Sequence, residues 1–287
     1  MENKRVKEIA VRTISGLVLL LVVVGALIWS KWSAGALFSV IMIGGLVEFY
    51  RLCEKRGATP MYAIGIATSL AVFGLAYALF YHLGCSSMTA ATIRIALGAL
   101  LFVMFMVPST FVCELWRKSA TPIANIATTF MGVIYVALPM AAIIYIPQML
   151  VGEWNAWAMM AFISIIWIND IFAYLVGVSI GKHRLCERIS PKKSWEGFFG
   201  GLVGAVGAAV LFGHLFGGNL YVWGGLGVVT ALTGVAGDLV ESLMKREADV
   251  KDSGKMMPGH GGFLDRFDAL YIAVPFVVIY LLLVSAF

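Results

Sequence analysis

In a chain that is 61% hydrophobic and 13% charged, the residues able to do chemistry gather in three stretches. "WINDIFAYLVG" sets Asp170 beside Asn169 in an otherwise apolar run. "GKHRLCERISPKKSWEGFFGG" joins Lys182, Arg184, Arg188, Lys192 and Lys193 to Ser190, Ser194 and Glu196. "AGDLVESLMKREADVKDSGKMMPGHGGFLDRFDA" carries Asp238, Glu241, Ser242, Lys245, Arg246, His260, Asp265, Arg266 and Asp268. Carboxylates from different helix ends, such as Asp238 and Asp265, suit Mg²⁺, which takes one or two protein carboxylates and fills its shell with water and substrate phosphates. Paired lysines with hydroxyls at a helix start suit phosphate, through point charges, hydroxyl donors and free backbone N–H groups.

Each stretch also has a plainer reading. Asp170 sits about ten residues, roughly 15 Å at helical rise, from the nearer end of its apolar run. An ionisable group at that depth marks a functional site by default, although it can also be a carboxyl paired for packing. The lysine-rich stretch could simply hold anionic lipid headgroups, at about 1 kcal/mol per residue. The Ser-Pro-Lys-Lys string and Glu196 favour a defined site. The third stretch could be a solvated loop. Against that, Pro258-Gly259 forces a turn and Gly261-Gly262 allows close approach of backbone to a ligand. Continued helix after Asp238 puts Ser242, Lys245 and Arg246 on one face. Asp265 and Asp268, three apart, point the same way from the start of the last apolar run. Histidine is a residue type that can shuttle protons, but a hydrogen bond to phosphate or a turn-orienting role suits His260 better than general-base work.

The elements that must position these groups are membrane helices. Mean hydropathy is +0.91, and soluble domains carry about twice this fraction of charge. A spanning helix needs about 20 apolar residues. Nine such runs are expected, at about 12–30, 34–52, 61–81, 92–112, 124–147, 156–180, 197–216, 220–240 and 269–287. The fourth and fifth are the least regular, being interrupted or bounded by Pro108, Pro122, Pro139 and Pro147. The basic N-terminus leads into the first run without a small-residue cleavage site, as a retained start-transfer helix does. With that terminus in the cytoplasm, all of the 21 Lys and Arg residues except Lys31 and Arg94 fall on the cytoplasmic face, which is the positive-inside pattern. The expected fold is therefore an all-α polytopic bundle with its N-terminus cytoplasmic and its C-terminus on the outer side. Residues 1–150 would supply a scaffold of five spans, and residues 151–287 four spans with the cytoplasmic catalytic loops. The four scattered cysteines have no zinc spacing. The basic excess reads as topology and an anionic ligand rather than nucleic acid. Closely spaced glycines, as in GGLVGAVGAA, read as helix packing.

The string Ser242-Leu243-Met244-Lys245-Arg246, then Lys251-Asp252-Ser253-Gly254, then Pro258 through Asp268 closely resembles the signature of phosphatidate cytidylyltransferases, also called CDP-diacylglycerol synthases. Asp170 to Gly181 and Ser190 to Gly197 resemble the family's other recurrent stretches, while Met257 stands where Leu, Ile or Phe is expected. The likeness is strong from about residue 165 onward and general in hydropathy before it. It implies that CTP and phosphatidate give CDP-diacylglycerol and pyrophosphate with Mg²⁺, by attack of a lipid phosphate oxygen on the α-phosphorus of CTP. The nucleophile belongs to the substrate, so the obstacle is repulsion between two anions, and catalysis rests on positioning and charge neutralisation. The family's metal carboxylates map onto Asp238 and Asp265. Lys192, Lys193, Lys245, Arg246 and Arg266 are then the phosphate ligands, with Ser194, Ser242, Gly261 and Gly262 as further CTP or phosphate contacts. Asp170, Glu196 and Asp268 are candidates for the metal, a second monovalent cation such as K⁺, or cytidine.

The lack of an organelle-targeting segment and the compact size point to a bacterial cytoplasmic membrane. The positive-inside pattern puts the site on its cytoplasmic face, and phosphatidate is expected to enter laterally from the inner leaflet between helices. The first helices, free of candidate chemistry, offer a surface for a homodimer. Two rivals remain at this stage. A transporter of an anionic solute would need broken helices and midplane charges from two related halves. Another CTP-dependent lipid-headgroup enzyme, such as a polyprenol kinase, would use the same loops differently.

Overall fold

The computed structural model describes residues 2–83, 90–254, 256 and 261–286, and only the backbone of residues 2–12, 81–83, 90–92 and 95. Helices dominate, because long runs of apolar residues can satisfy their own backbone groups in lipid only that way. Among the described residues they are α1 (Glu2–Trp29), α2 (Lys31–Glu54), α3 (Tyr62–Leu83), α4 (Ala90–Arg117), α5 (Pro122–Val151), α6 (Ala156–Ile180), α7 (Trp195–Leu215), α8 (Leu220–Glu247) and α9 (Leu264–Ser285). All but α1 are long and apolar enough to cross a membrane, and the apolar part of α1, Thr13–Trp29, is shorter. The chain is thus an all-α polytopic membrane protein, as expected. Large apolar side chains such as Leu21, Phe105, Ile123, Val203 and Leu283 stay exposed, the surface that lipid covers.

Prolines act locally. Pro108 is carried inside α4. Pro139, which has no N–H to donate, follows a π-helical turn at Val133–Ala137, and Ile143–Tyr145 tightens to 3₁₀ geometry before Pro147. Extra or missing residues per turn absorb the hydrogen bonds that proline cannot make.

One departure from the all-helical expectation lies in the lysine-rich stretch. Strands β1 (Arg184–Cys186) and β2 (Ser190–Ser194) pair antiparallel as a small hairpin, where the sequence reading expects only a cytoplasmic loop. The β2 strand runs directly into α7, and Ser194 caps that helix by accepting the Gly197 N–H at 3.1 Å.

The chain packs as two compact units, one of Met1–Ile144 with Glu247–Phe267, the other of Tyr145–Arg246 with Asp268–Phe287. The first is built on α2, whose Phe38, Ile41, Met42, Leu46 and Tyr50 are buried. There the Tyr50 hydroxyl donates to the Thr129 carbonyl at 2.7 Å, and the Met61 N–H donates to Thr129 Oγ1 at 2.9 Å. A buried polar knot closes its loops: Asn125 donates to Glu114 and accepts from the Thr59 N–H at 2.6 Å, while Arg117 pairs with Glu114 at 2.9 Å.

The second unit is organised by α6 against α7. A Cβ on Gly197 would lie 2.6 Å from the Ala173 carbonyl, and one on Gly201 would lie 2.7 and 2.8 Å from oxygens of Asn169. Only glycine lets these two backbones come so close, the device expected of membrane helix pairs.

Candidate functional site

The second unit holds a cavity of about 550 Å³. Asp170, Tyr174, Gly177 and Val178 come from α6, Arg184, Lys192, Lys193 and Ser194 from the hairpin, Phe198 from α7, and Val235 and Asp238 from α8. The closely packed α6 and α7 form part of its wall, and the hairpin contributes the basic side chains Arg184, Lys192 and Lys193. Ser194 is buried as the helix cap, so its neighbours Lys192 and Lys193 are fixed relative to α7.

At the centre, Lys193 Nζ donates to Asp238 Oδ2 at 2.6 Å, with both side chains about three-quarters buried. Asp170 interacts electrostatically with both Asp238 and Lys193, and receives the Asn169 side-chain amide at 3.5 Å. Asp238 also shares a side-chain hydrogen bond with Asp268, which feels Glu241 as well. Carboxylates gathered this closely repel one another unless a proton or cation lies among them. Lys193 supplies one positive charge, and Lys245, ion-paired with buried Glu241, supplies another.

Glu196 does structural work at the hairpin base. It accepts the Lys182 N–H at 3.1 Å and the His183 N–H at 3.2 Å, and meets His183 Nδ1 at 2.6 Å. Arg246 reaches the Ile189 carbonyl at 3.5 Å, Ser242 is half-buried, and Lys192 is exposed.

Of the remaining expected site residues, Gly261, Gly262, Asp265 and Arg266 lie in the first unit. Asp265 opens α9 and gathers donors on Oδ2: the Ser253 N–H and hydroxyl, each at 2.9 Å, and the Gly262 N–H at 2.8 Å. Gly261 has φ +83°, a left-handed conformation that favours glycine, while the turn expected at Pro258-Gly259 lies outside the described residues. Arg266 is exposed. His260 lies outside the described residues. Asp238 and Asp265, paired in the sequence reading, therefore belong to different units, each with its own neighbours.

Sequence reasoning passed over Glu48, which is 4% exposed in the middle of an apolar helix and accepts from Ser253 and Leu264. The rule applied to Asp170, that a charge inside a span is costly and has a purpose, would have found it. Arg184 had been counted for topology only, and Tyr174 and Phe198 not considered as cavity walls.

Among the described residues, no three His, Cys, Asp or Glu side chains converge on a point that could hold a metal ion. Mg²⁺ asks for less: one or two carboxylates, with water and substrate phosphates completing the shell. Asp238, with Asp170 and Asp268 beside it and lysines in place for phosphate, fits that donor set.

Fold and site together define a polytopic membrane protein with an ionic cavity lined by basic groups and carboxylates. The chain belongs to the cytidylyltransferase family, whose model matches residues 10–284. Among its relatives is the phosphatidate cytidylyltransferase of Haemophilus influenzae, 46% identical over 119 residues, which are 39% of this chain and 41% of that protein. That of Staphylococcus aureus (strain COL) is 46% identical over 120 residues, 41% of this chain and 46% of the relative. That of Mycobacterium bovis is 44% identical over 117 residues, 40% and 38% respectively. The matched stretch thus spans less than half the length of each of these bacterial relatives.

Proposed function

We propose that the chain transfers the cytidylyl group of CTP to phosphatidate, forming CDP-diacylglycerol and pyrophosphate at the inner face of a bacterial cytoplasmic membrane. A phosphatidate oxygen bonds to the α-phosphorus of CTP, the bond from that phosphorus to the β-phosphate oxygen breaks, and pyrophosphate leaves. The observation that carries this reading is the cavity, which joins apolar walls for a lipid to a basic mouth for phosphates. Tyr174 and Val178 line it yet are 69% and 71% exposed on the flank of α6, which favours lateral entry of a lipid. Family membership and the names of the relatives support the choice of reaction.

The chemistry needs little from the protein beyond charge and position. Lys193 is oriented by Asp238 toward the cavity, where its ammonium offsets negative charge as the two anions meet. Lys192, Arg184, Lys245, Arg246 and Arg266 hold phosphate oxygens, and Ser242, Gly261 and Gly262 order the nucleotide side. Ser194 and Glu196 keep the hairpin in place. We assign the divalent metal to Asp238, with Asp170 and Asp268 as supporting carboxylates, and the family resemblance adds Asp265 as a metal carboxylate. A bound Mg²⁺ supplies charge neutralisation on the triphosphate, with K⁺ a second ion for the same group of acids. His260 donates to phosphate or sets the turn. The N-terminus lies in the cytoplasm and the C-terminus outside, and the first helices offer a homodimer contact.

Purified protein in detergent should release pyrophosphate from CTP only when phosphatidate is added, and Asp238→Asn should lose that release while retaining the wild-type elution profile. Release that does not depend on the lipid contradicts the assignment.

A further inference from the structure

Glu48 lies on α2 within an apolar span, in the half of the chain that carries no recognised motif, and only 4% of it is exposed. A carboxylate in that setting is costly unless donors surround it. Its donors come from the signature segment more than 200 residues away. The Ser253 hydroxyl lies 3.1 Å from Glu48 Oε2, and the Leu264 N–H donates to the same oxygen at 2.8 Å. The same Ser253 hydroxyl also lies 2.9 Å from Asp265 Oδ2. One hydroxyl thus bridges the two carboxylates, with a single proton to share between them.

Packing is fitted to this arrangement. A Cβ on Gly254 or on Gly262 would collide with the Glu48 carboxylate, and one on Gly44, a turn before Glu48, would strike the Phe263 ring. Two glycines of the signature segment are therefore required by Glu48, apart from any approach to a ligand. The network clamps both ends of the segment, Ser253-Gly254 and Gly262 through Asp265, on one side chain of α2. An apolar residue could fill the same volume but would strand the Leu264 N–H, at the desolvation cost of a buried donor left unpaired. What the carboxylate adds is direction: it fixes the Ser253 hydroxyl and the first N–H of α9, and through them the orientation of Asp265.

We propose that Glu48 is a positioning residue, which orients Asp265 for its metal role through Ser253 and the N-terminus of α9. The proposal rests on the metal assignment of Asp265 made above. Partners held at one remove from a metal ligand change metal affinity by about 10–100-fold when lost. The variants are Glu48→Leu, which removes the anchor at similar volume, Glu48→Gln, which keeps an acceptor oxygen, and Ser253→Ala, which removes the bridge alone.

Amide hydrogen exchange of the purified full chain, without substrates, reads the positioning directly. Glu48→Leu and Ser253→Ala should speed exchange in peptides covering residues 253–266 and leave those from α6 and α7 unchanged. In the turnover assay, both variants should raise the Mg²⁺ concentration for half-maximal rate by about tenfold or more, with KM for CTP at saturating Mg²⁺ little changed. Glu48→Gln should recover part of this shift. The double variant should be no worse than Glu48→Leu alone, because both act on one chain of contacts.

Unchanged exchange and unchanged Mg²⁺ dependence in Ser253→Ala would overturn the proposal, even if Glu48→Leu fails to accumulate. Faster exchange everywhere, with the Mg²⁺ response intact, would make Glu48 a general stabiliser and overturn it too. The exchange arm needs no catalysis. A wild-type protein that makes no CDP-lipid would sink the functional reading and leave the clamp itself measured.

Discussion

Replacing Lys193 by alanine removes the cation that sits 2.6 Å from Asp238 in the cavity wall. The side chains are 28% and 24% exposed, so solvent screens the pair only in part. A hydrogen bond between charged groups contributes about 1.5–3 kcal/mol, and the residual exposure places the stability loss toward the lower end of that range. The catalytic effect should be larger. Asp170, Asp238 and Asp268 would face incoming phosphates with one fewer positive charge, and losing one donor aimed at developing charge typically lowers kcat by about 10²–10³. Lys192, the next residue in the same strand, is exposed and makes a solvated contribution of about 1 kcal/mol, near fivefold in rate. The assay is phosphatidate-dependent pyrophosphate release by each alanine variant, normalised to folded protein from size-exclusion chromatography. Equal losses for the two lysines, or a Lys193→Ala variant within about threefold of wild type, would refute the geometric argument and leave only a diffuse basic patch.

Three further outcomes follow from other contacts. Gly201→Val should drive α6 and α7 apart, because its side chain would press on Asn169; an overpacking cost of about 1–3 kcal/mol should appear as a lower Tm in detergent, whereas Gly207→Ala, with open space around it, should not lower Tm. Glu196→Gln should loosen the hairpin by weakening the contacts to His183 and Lys182, so trypsin should cut at Lys182, Arg184 and Arg188 several times faster than in wild type at equal overall stability. Removing divalent cations with a chelator should abolish turnover, and Mg²⁺ should restore it; full activity in the chelator would contradict the role given to Asp238 and Asp265.

Much of this architecture could be read from composition. Hydropathy located the helices because a membrane span is a one-dimensional signal, about 20 apolar residues in a row. The glycines of α7 announced close packing for a similar local reason, since their spacing alone puts small residues on one helix face. Long-range pairing was harder. Glu48 and Ser253 are 205 residues apart in sequence, and no periodicity links them. The packing of Glu247–Phe267 with the N-terminal helices is equally invisible to a window that moves along the chain. The hairpin of Arg184–Ser194 escaped because its strands are three and five residues long and one contains a proline, which reads as a break. For the site itself, residue types and spacing marked Asp170, Lys193, Asp238 and Asp268 as chemically able. That Lys193 is the one ion-paired to Asp238 depends on how the hairpin folds over α8, and only the three-dimensional arrangement carries that.

The central claim, cytidylyl transfer to a lipid phosphate, is tested most directly by following label position. Purified protein is incubated with phosphatidate, Mg²⁺ and CTP labelled at either the α- or the γ-phosphorus. The α-label should appear in a chloroform-soluble CDP-lipid, and the γ-label should remain in water-soluble pyrophosphate. A γ-label recovered in lipid would make the protein a CTP-dependent lipid kinase, and no label in lipid from either substrate would contradict the account altogether.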